Sequence, residues 1–138
     1  MILKIMLDER AMMPLRAHEN DAGLDLRTPR RLFLPGHDSI TVDTGVHVEI
    51  PEGYAGKLES KSGLNINYDI ISTGLVDSGY TGSIRVKLYN LGDGDYIFEK
   101  GDKISQLVIE KIETPRIEIV REFAETERGS NGFGSTGR

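Results

Sequence analysis

The stretch Ile84-Arg85-Val86-Lys87-Leu88 alternates apolar and charged side chains with a period of two. Successive side chains of a strand point to opposite faces, so this pattern predicts a β-strand with one dry and one wet face. The same alternation recurs in Val46-His47-Val48-Glu49-Ile50 and in Ile117-Glu118-Ile119, and the opening segment Met1 to Asp8 reads as a first strand. The run from Ile104 to Ile112 is more continuously apolar and predicts a more buried strand. Turn signals punctuate these runs: Pro35-Gly36, Pro51-Glu52-Gly53, Gly92-Asp93-Gly94 and Lys100-Gly101-Asp102. Residues 61–67 suit a helical turn, and no long amphipathic helix or repeat is visible. Short strands separated by Gly and Pro turns predict an all-β barrel or sandwich.

A length of 138 residues suits one domain with a real core. Apolar residues at 38% and charged residues at 28% fit a soluble globular protein, expected in the cytoplasm. A net charge of −5 argues against a nucleic-acid groove, which needs clustered Lys and Arg, but leaves room for a small anionic ligand. The absence of cysteine excludes disulfides, thiol nucleophiles and Cys-based metal sites. No apolar run approaches the ~20 residues that span a bilayer, and the N-terminal segment lacks the marks of a signal peptide.

Most of the chemistry sits beside glycines. The last eleven residues, Arg128 to Arg138, combine four glycines, two arginines, several hydroxyls and the ring of Phe133. Glycine lets backbone N–H groups turn inward, and Arg and hydroxyls donate to phosphate oxygens, so the segment reads as a phosphate cradle with an aromatic lid. The plain alternative is a disordered tail, and both hold if a ligand orders it. Asp77, in Gly74-Leu75-Val76-Asp77-Ser78-Gly79-Tyr80, ends an apolar strand and suits a base acting on water; the alternative is a turn acid beside a packed Tyr. Lys61-Ser62-Gly63 offers a cation, a hydroxyl and a free N–H to phosphate, or is an ordinary surface turn. Asp25 suits a hydrated Mg²⁺ whose other ligands are phosphates and waters, or is a strand-edge acid. Gln106 interrupts an apolar strand, so its amide must bond core backbone or a ligand. His18, His37 and His47 show no metal spacing and read as surface residues.

Together these pieces resemble the homotrimeric dUTP diphosphatase (dUTPase) family. Its five motifs are matched in order by Pro14 to Leu26, Ser60 to Leu64, Gly74 to Gly82, Gly101 to Leu107 and Arg128 to Gly137. The resemblance implies a β jelly roll over residues 1–127, with a flexible phosphate-binding tail at 128–138. It also implies a homotrimer with three shared sites, the tail of one subunit closing over another's. The implied reaction is dUTP + water → dUMP + pyrophosphate, with Mg²⁺ as cofactor. Carried over residue by residue, Asp77 activates the water that attacks the α-phosphorus, and Asp25 orients the Mg²⁺ through water. Lys61, Ser62, Gly63 and Gln106 bind phosphates. The backbone of Gly74, Leu75, Val76 and Arg85 reads the uracil edge. Tyr80 packs on the deoxyribose and excludes a 2′-hydroxyl. Arg128, Gly134, Ser135 and Thr136 hold the outer phosphates, and Phe133 covers the base.

Some positions depart from the family pattern. Lys61 stands where Arg is usual, so a point donor replaces a fork. Gly79 replaces an acid and is expected to loosen its turn. Ile71 replaces a polar residue, which leaves base recognition to backbone groups, and Asn131 replaces a small residue. A dCTP deaminase of the same fold is the competing enzyme class. Those enzymes carry a Glu where this chain has Lys87, and the tail with Phe133 also speaks against them. A nucleotide-binding signalling module is the competing non-enzymatic reading, and no inserted domain supports it.

Overall fold

The computed structural model describes residues 1–137. Arg138, the end of the glycine-rich tail, lies outside the described residues. Among the described residues, ten strands and one short helix follow one another. In order they are β1 (Lys4–Leu7), β2 (Gly23–Arg27), β3 (Leu32–Leu34), β4 (Ser39–Asp43), β5 (Val46–Glu49) and β6 (Tyr54–Glu59). Then come α1 (Ser62–Tyr68), β7 (Ile70–Val76), β8 (Arg85–Asn90), β9 (Tyr96–Phe98) and β10 (Lys103–Lys111). Every pairing is antiparallel. A six-stranded sheet runs β2-β10-β6-β7-β8-β4, and two-stranded ribbons β1-β5 and β3-β9 fold against it. The curled sheets form the expected all-β jelly roll.

The period-two reading explains the core. In β8, Val86, Leu88 and Asn90 are buried while Arg85, Lys87 and Tyr89 are exposed. In β5, Val46 and Val48 are buried beneath an exposed Glu49. Ile104 and Leu107 of β10 are fully buried and meet the inner faces of its neighbours β2 and β6. Each such side chain contributes about 1.5–3 kcal/mol by leaving water. One polar group on this inner side, Asn90, is satisfied: its Nδ2 donates to the carbonyls of Leu34 and Gly94.

The third alternating segment behaves differently. Ile117-Glu118-Ile119 was expected to be a strand, yet regular structure ends at Lys111. Ile117 and Ile119 are 90% and 95% exposed, and Phe123 is 90% exposed. Alternation marks a chain ready to pair, but a strand needs a partner for its backbone groups, and this segment has none among the described residues. Beyond Lys111 the chain is therefore an arm with apolar side chains and no core of its own.

Candidate active site

The site begins where two neighbouring strands part. β7 pairs with β8 only through Ile70, Ile71 and Ser72, opposite Asn90, Tyr89 and Leu88. Past Ser72 it pairs on its other edge with β6, matching Thr73–Val76 to Gly56–Glu59. Meanwhile Arg85–Lys87 pair only with β4. The facing edges of β7 and β8 thus splay and leave backbone donors and acceptors without ladder partners. The gap is a cleft of about 290 Å³ lined by Gly74, Leu75, Val76, Asp77, Tyr80 and Arg85, among others. Six residues singled out from sequence converge here.

Asp77 follows the buried Val76 and stands exposed at the cleft rim. The Tyr80 N–H donates to the Asp77 carbonyl at 3.2 Å and closes a tight turn. Gly79 sits in it at φ +86°, a left-handed conformation that strains other residues. The expected loosening at Gly79 therefore reverses: glycine is the residue this turn requires. The Tyr80 hydroxyl donates to the Ser83 carbonyl at 3.0 Å, and a Cβ on Gly82 would collide with the ring. Ser83 Oγ in turn donates to the Asp43 carboxylate, which also accepts the Gly45 N–H at 3.1 Å. These two bonds hold the Asp43 carboxyl below its ordinary value.

A second cluster surrounds Asp25, which is only 3% exposed. Its Oδ1 accepts from Lys61 Nζ at 2.5 Å and its Oδ2 from Lys103 Nζ at 2.7 Å. Burial pushes this carboxyl up, but the hydrogen bonds and charges of Lys103 and Lys61 outweigh it and hold the group below its ordinary value. Ser62 and Gly63 open α1 just beyond, and a Cβ on Gly63 would meet nothing. Gln106 donates one of its two amide N–H groups from Nε2 to the Ser60 carbonyl at 2.9 Å. Its side chain lies across Gly23, where a Cβ would clash with Oε1. Gly23→Ala is expected to cost about 1–3 kcal/mol, read as a lower melting temperature, because the amide must leave Ser60.

These two clusters stand apart. β6 and β7 are antiparallel, with Val76 opposite Gly56 and Thr73 opposite Glu59. Asp77 therefore lies near the start of β6, while Lys61 lies beyond its end. At about 3.3 Å per residue the separation is ~20 Å. A base acting on an α-phosphate and the donors that hold that phosphate must lie within a few ångströms of each other. Asp77 and the Lys61–Asp25 cluster do not meet in this way within one chain.

The tail adds a third, separate piece. Arg128 Nε donates to the Asn131 carbonyl at 2.8 Å, and the Asn131 N–H returns to the Arg128 carbonyl at 3.0 Å. Local turns place Arg128, Asn131, Ser135 and Thr136 around one open concavity. Phe133 points fully into solvent at φ +50°. Gly134 follows it at φ +90°.

Two residues escaped the sequence reading. Lys103 shares Asp25 with Lys61, and its place three residues before Gln106 was the available signal. His47 is half-buried and not a free surface residue: its side chain is 17% exposed and bonded through both ring nitrogens. His18 and His37 do lie exposed, as expected.

A jelly roll with a cleft between splayed strands, an acid at its rim and a separate lysine–carboxylate cluster places the chain in a broad class of all-β proteins. Comparison with known proteins narrows it. The family model for dUTPase matches residues 9–137. The deoxyuridine 5′-triphosphate nucleotidohydrolase of Paramecium bursaria Chlorella virus 1 is 41% identical over 132 residues, covering 95% of this chain and 94% of that protein. A mutant Staphylococcus bacteriophage 80alpha dUTPase with dUpNHpp superposes with a TM-score of 0.92 at 33% identity, covering 99% of both chains. A mutant dUTPase from phage phi11 of S. aureus, which coordinates a structural Mg(II) ion, gives 0.82 at 32% identity, covering 90% of this chain and 99% of that one. The chain belongs to the dUTPase family.

Proposed function

We propose that this chain hydrolyses dUTP to dUMP and pyrophosphate at sites assembled between copies of itself. The observation that carries the reading is the splayed β7–β8 cleft with Asp77 at its rim. The free backbone edges of Gly74, Leu75, Val76 and Arg85 pair with the uracil edge as a further strand would. A cytosine presents the reversed donor and acceptor there and leaves buried groups unpaired. The snug cleft excludes the thymine methyl group, and Tyr80 lies against the deoxyribose where a 2′-hydroxyl would stand. The relatives' activity and the dUpNHpp held by the phage enzyme support the same substrate.

Asp77 takes a proton from water as the water oxygen attacks the α-phosphorus. The bond from that phosphorus to the oxygen bridging the β-phosphate breaks, and its electron pair leaves with pyrophosphate. Ser62, Gly63, Lys61 and Gln106 donate to the phosphates, and Arg128, Gly134, Ser135 and Thr136 hold the outer two while Phe133 covers the base. Such a site works by positioning and charge neutralisation. Mg²⁺ fits as an ion carried in on the triphosphate. Each Asp25 oxygen accepts from one lysine and keeps a lone pair, which would accept a hydrogen bond from a metal-bound water. When bound, the ion neutralises charge on the triphosphate.

The ~20 Å between Asp77 and Lys61 supports a homotrimer in which one subunit supplies the base cleft and another the Asp25 cluster. The exposed arm beyond Lys111 supports a tail delivered to a neighbour. On this reading residues 1–127 form the jelly-roll domain and its arm, and 128–138 its phosphate-binding tail. Light scattering is expected to give about three chain masses of 15.3 kDa, and a monomer at working concentration would contradict the shared site. Among the described residues no helix is long and apolar enough to cross a membrane; the proposed setting is the cytoplasm.

Pyrophosphate release from dUTP, dCTP, dTTP and UTP, with and without Mg²⁺, tests the proposal. Release from dUTP alone, dependent on Mg²⁺, is expected. Ammonia from dCTP would instead mark a deaminase.

A further inference from the structure

His47 joins two parts of the chain that the sequence keeps far apart. Its Nδ1 lies 2.7 Å from the Thr81 carbonyl oxygen and its Nε2 lies 3.0 Å from Asp8 Oδ1. A carbonyl and a carboxylate only accept hydrogen bonds. A neutral imidazole has one N–H and leaves one of them without a donor; an imidazolium serves both. Thr81 directly follows Tyr80 in the loop that returns from the Asp77 turn to β8. The same loop is tied at Ser83 to Asp43, and the Tyr80 hydroxyl is tied to the Ser83 carbonyl. The loop that carries Tyr80 is thus pinned at its middle by His47 and at its end by Asp43.

We propose that His47 is a positioning residue of the substrate cleft: as an imidazolium it clamps Thr81 to Asp8, and this sets Tyr80 for the deoxyribose. The inference rests on the reading of Tyr80 as the sugar contact. Its consequence is that dUTP binding weakens as pH rises and the clamp loses a proton.

The surroundings favour the charged ring. Asp8 follows β1 and faces Nε2, and Asp43 lies at the end of β4. Arg85 on β8 interacts with Asp43. Lys4 of β1 and Glu49 of β5 line the same hollow beside the ring but pair with each other at 2.7 Å. The Thr81 bond, with Asp8 and Asp43 behind it, raises the His47 pKa above its ordinary value against a smaller opposing effect of burial. A raised pKa means that the clamp is complete at pH below the ordinary value and is lost as pH rises through the higher, folded value.

Two substitutions dissect the clamp. In His47→Gln the amide nitrogen reaches the place of Nε2 and forfeits Thr81. In His47→Asn it reaches the place of Nδ1 and forfeits Asp8. KM for dUTP, measured from about pH 5 to 9, is expected to rise ~3–10-fold through the His47 pKa in the parent chain, the scale of one lost hydrogen bond. His47→Gln is expected to show the high KM throughout with no break, and to lose part of its preference for dUTP over UTP. His47→Asn keeps the Thr81 bond but loses the tie to Asp8, and is likewise expected to show a raised KM with no break. Asp8→Asn is expected to move the break to lower pH, an effect that a merely structural histidine would not produce. The ¹⁵N shifts of the imidazole, read without substrate, report its protonation independently of activity. A ring that is neutral well below its ordinary pKa overturns the proposal. So does a ring that titrates late while KM stays flat. If Tyr80→Ala leaves KM and the UTP preference unmoved, the failure lies with the cleft reading instead.

Discussion

Asp77→Asn is expected to abolish dUTP turnover while dUTP still binds. The substitution keeps the size of the side chain and the turn closed by the Tyr80 N–H, but removes the carboxylate proposed to accept a proton from water. Loss of a positioned general base costs about 10²–10⁴-fold in rate. The strand edges of β7 and β8 proposed to read uracil and the groups near Lys61 proposed to bind phosphate are untouched, so a titration with dUTP is expected to give an affinity close to that of the parent chain. Turnover comparable to the parent would remove Asp77 from its role. Loss of binding along with turnover would mean that the residue shapes the cleft and does not act on water.

Removal of the tail after Glu127 is expected to be nearly as severe for activity and almost silent for stability. Arg128, Ser135 and Thr136 leave with it. Hydrogen bonds from charged donors contribute about 1.5–3 kcal/mol and neutral ones about 0.5–1.5 kcal/mol, so kcat/KM is expected to fall on the order of 10³-fold. The hydrogen bonds of the described tail residues are local, such as Arg128 with Asn131 and Ser135 with Gly132, and Phe133 is fully exposed. The melting temperature is therefore expected to stay within a degree or two. A large fall would show that the tail supports the fold.

The fold was legible because its strands announce themselves locally. The alternation in Ile84 to Leu88 and in Val46 to Ile50 returned as buried and exposed faces, and the continuous run after Ile104 returned as β10. The same signal misled at Ile117-Glu118-Ile119, because alternation records readiness to pair and the described residues offer this segment no partner. At the site, the residues were legible as types but their arrangement was not. Nothing local to Gly74-Leu75-Val76 shows that β7 changes partners at Ser72, which is what opens the cleft. Gln106 announced a need for satisfaction, but its partner, Ser60, lies 46 residues away. Gly79 looked like a weakened turn until its positive φ made glycine the fitting residue. His47 looked like the wet position of an alternating strand because its partners, Asp8 and Thr81, stand 39 and 34 residues off.

The most direct test of a site shared between copies mixes two inactive chains. Asp77→Asn supplies intact tails, and the chain truncated after Glu127 supplies intact Asp77. On the proposed assembly, each alone forms trimers without a complete site. Co-assembled at equal amounts, a site that takes Asp77 from one subunit and the tail from another is complete in about a quarter of cases. Recovery of roughly that share of the parent dUTP turnover is the predicted result. Mixed trimers that stay inactive would contradict the account, because they would place Asp77 and the tail of each site on one chain.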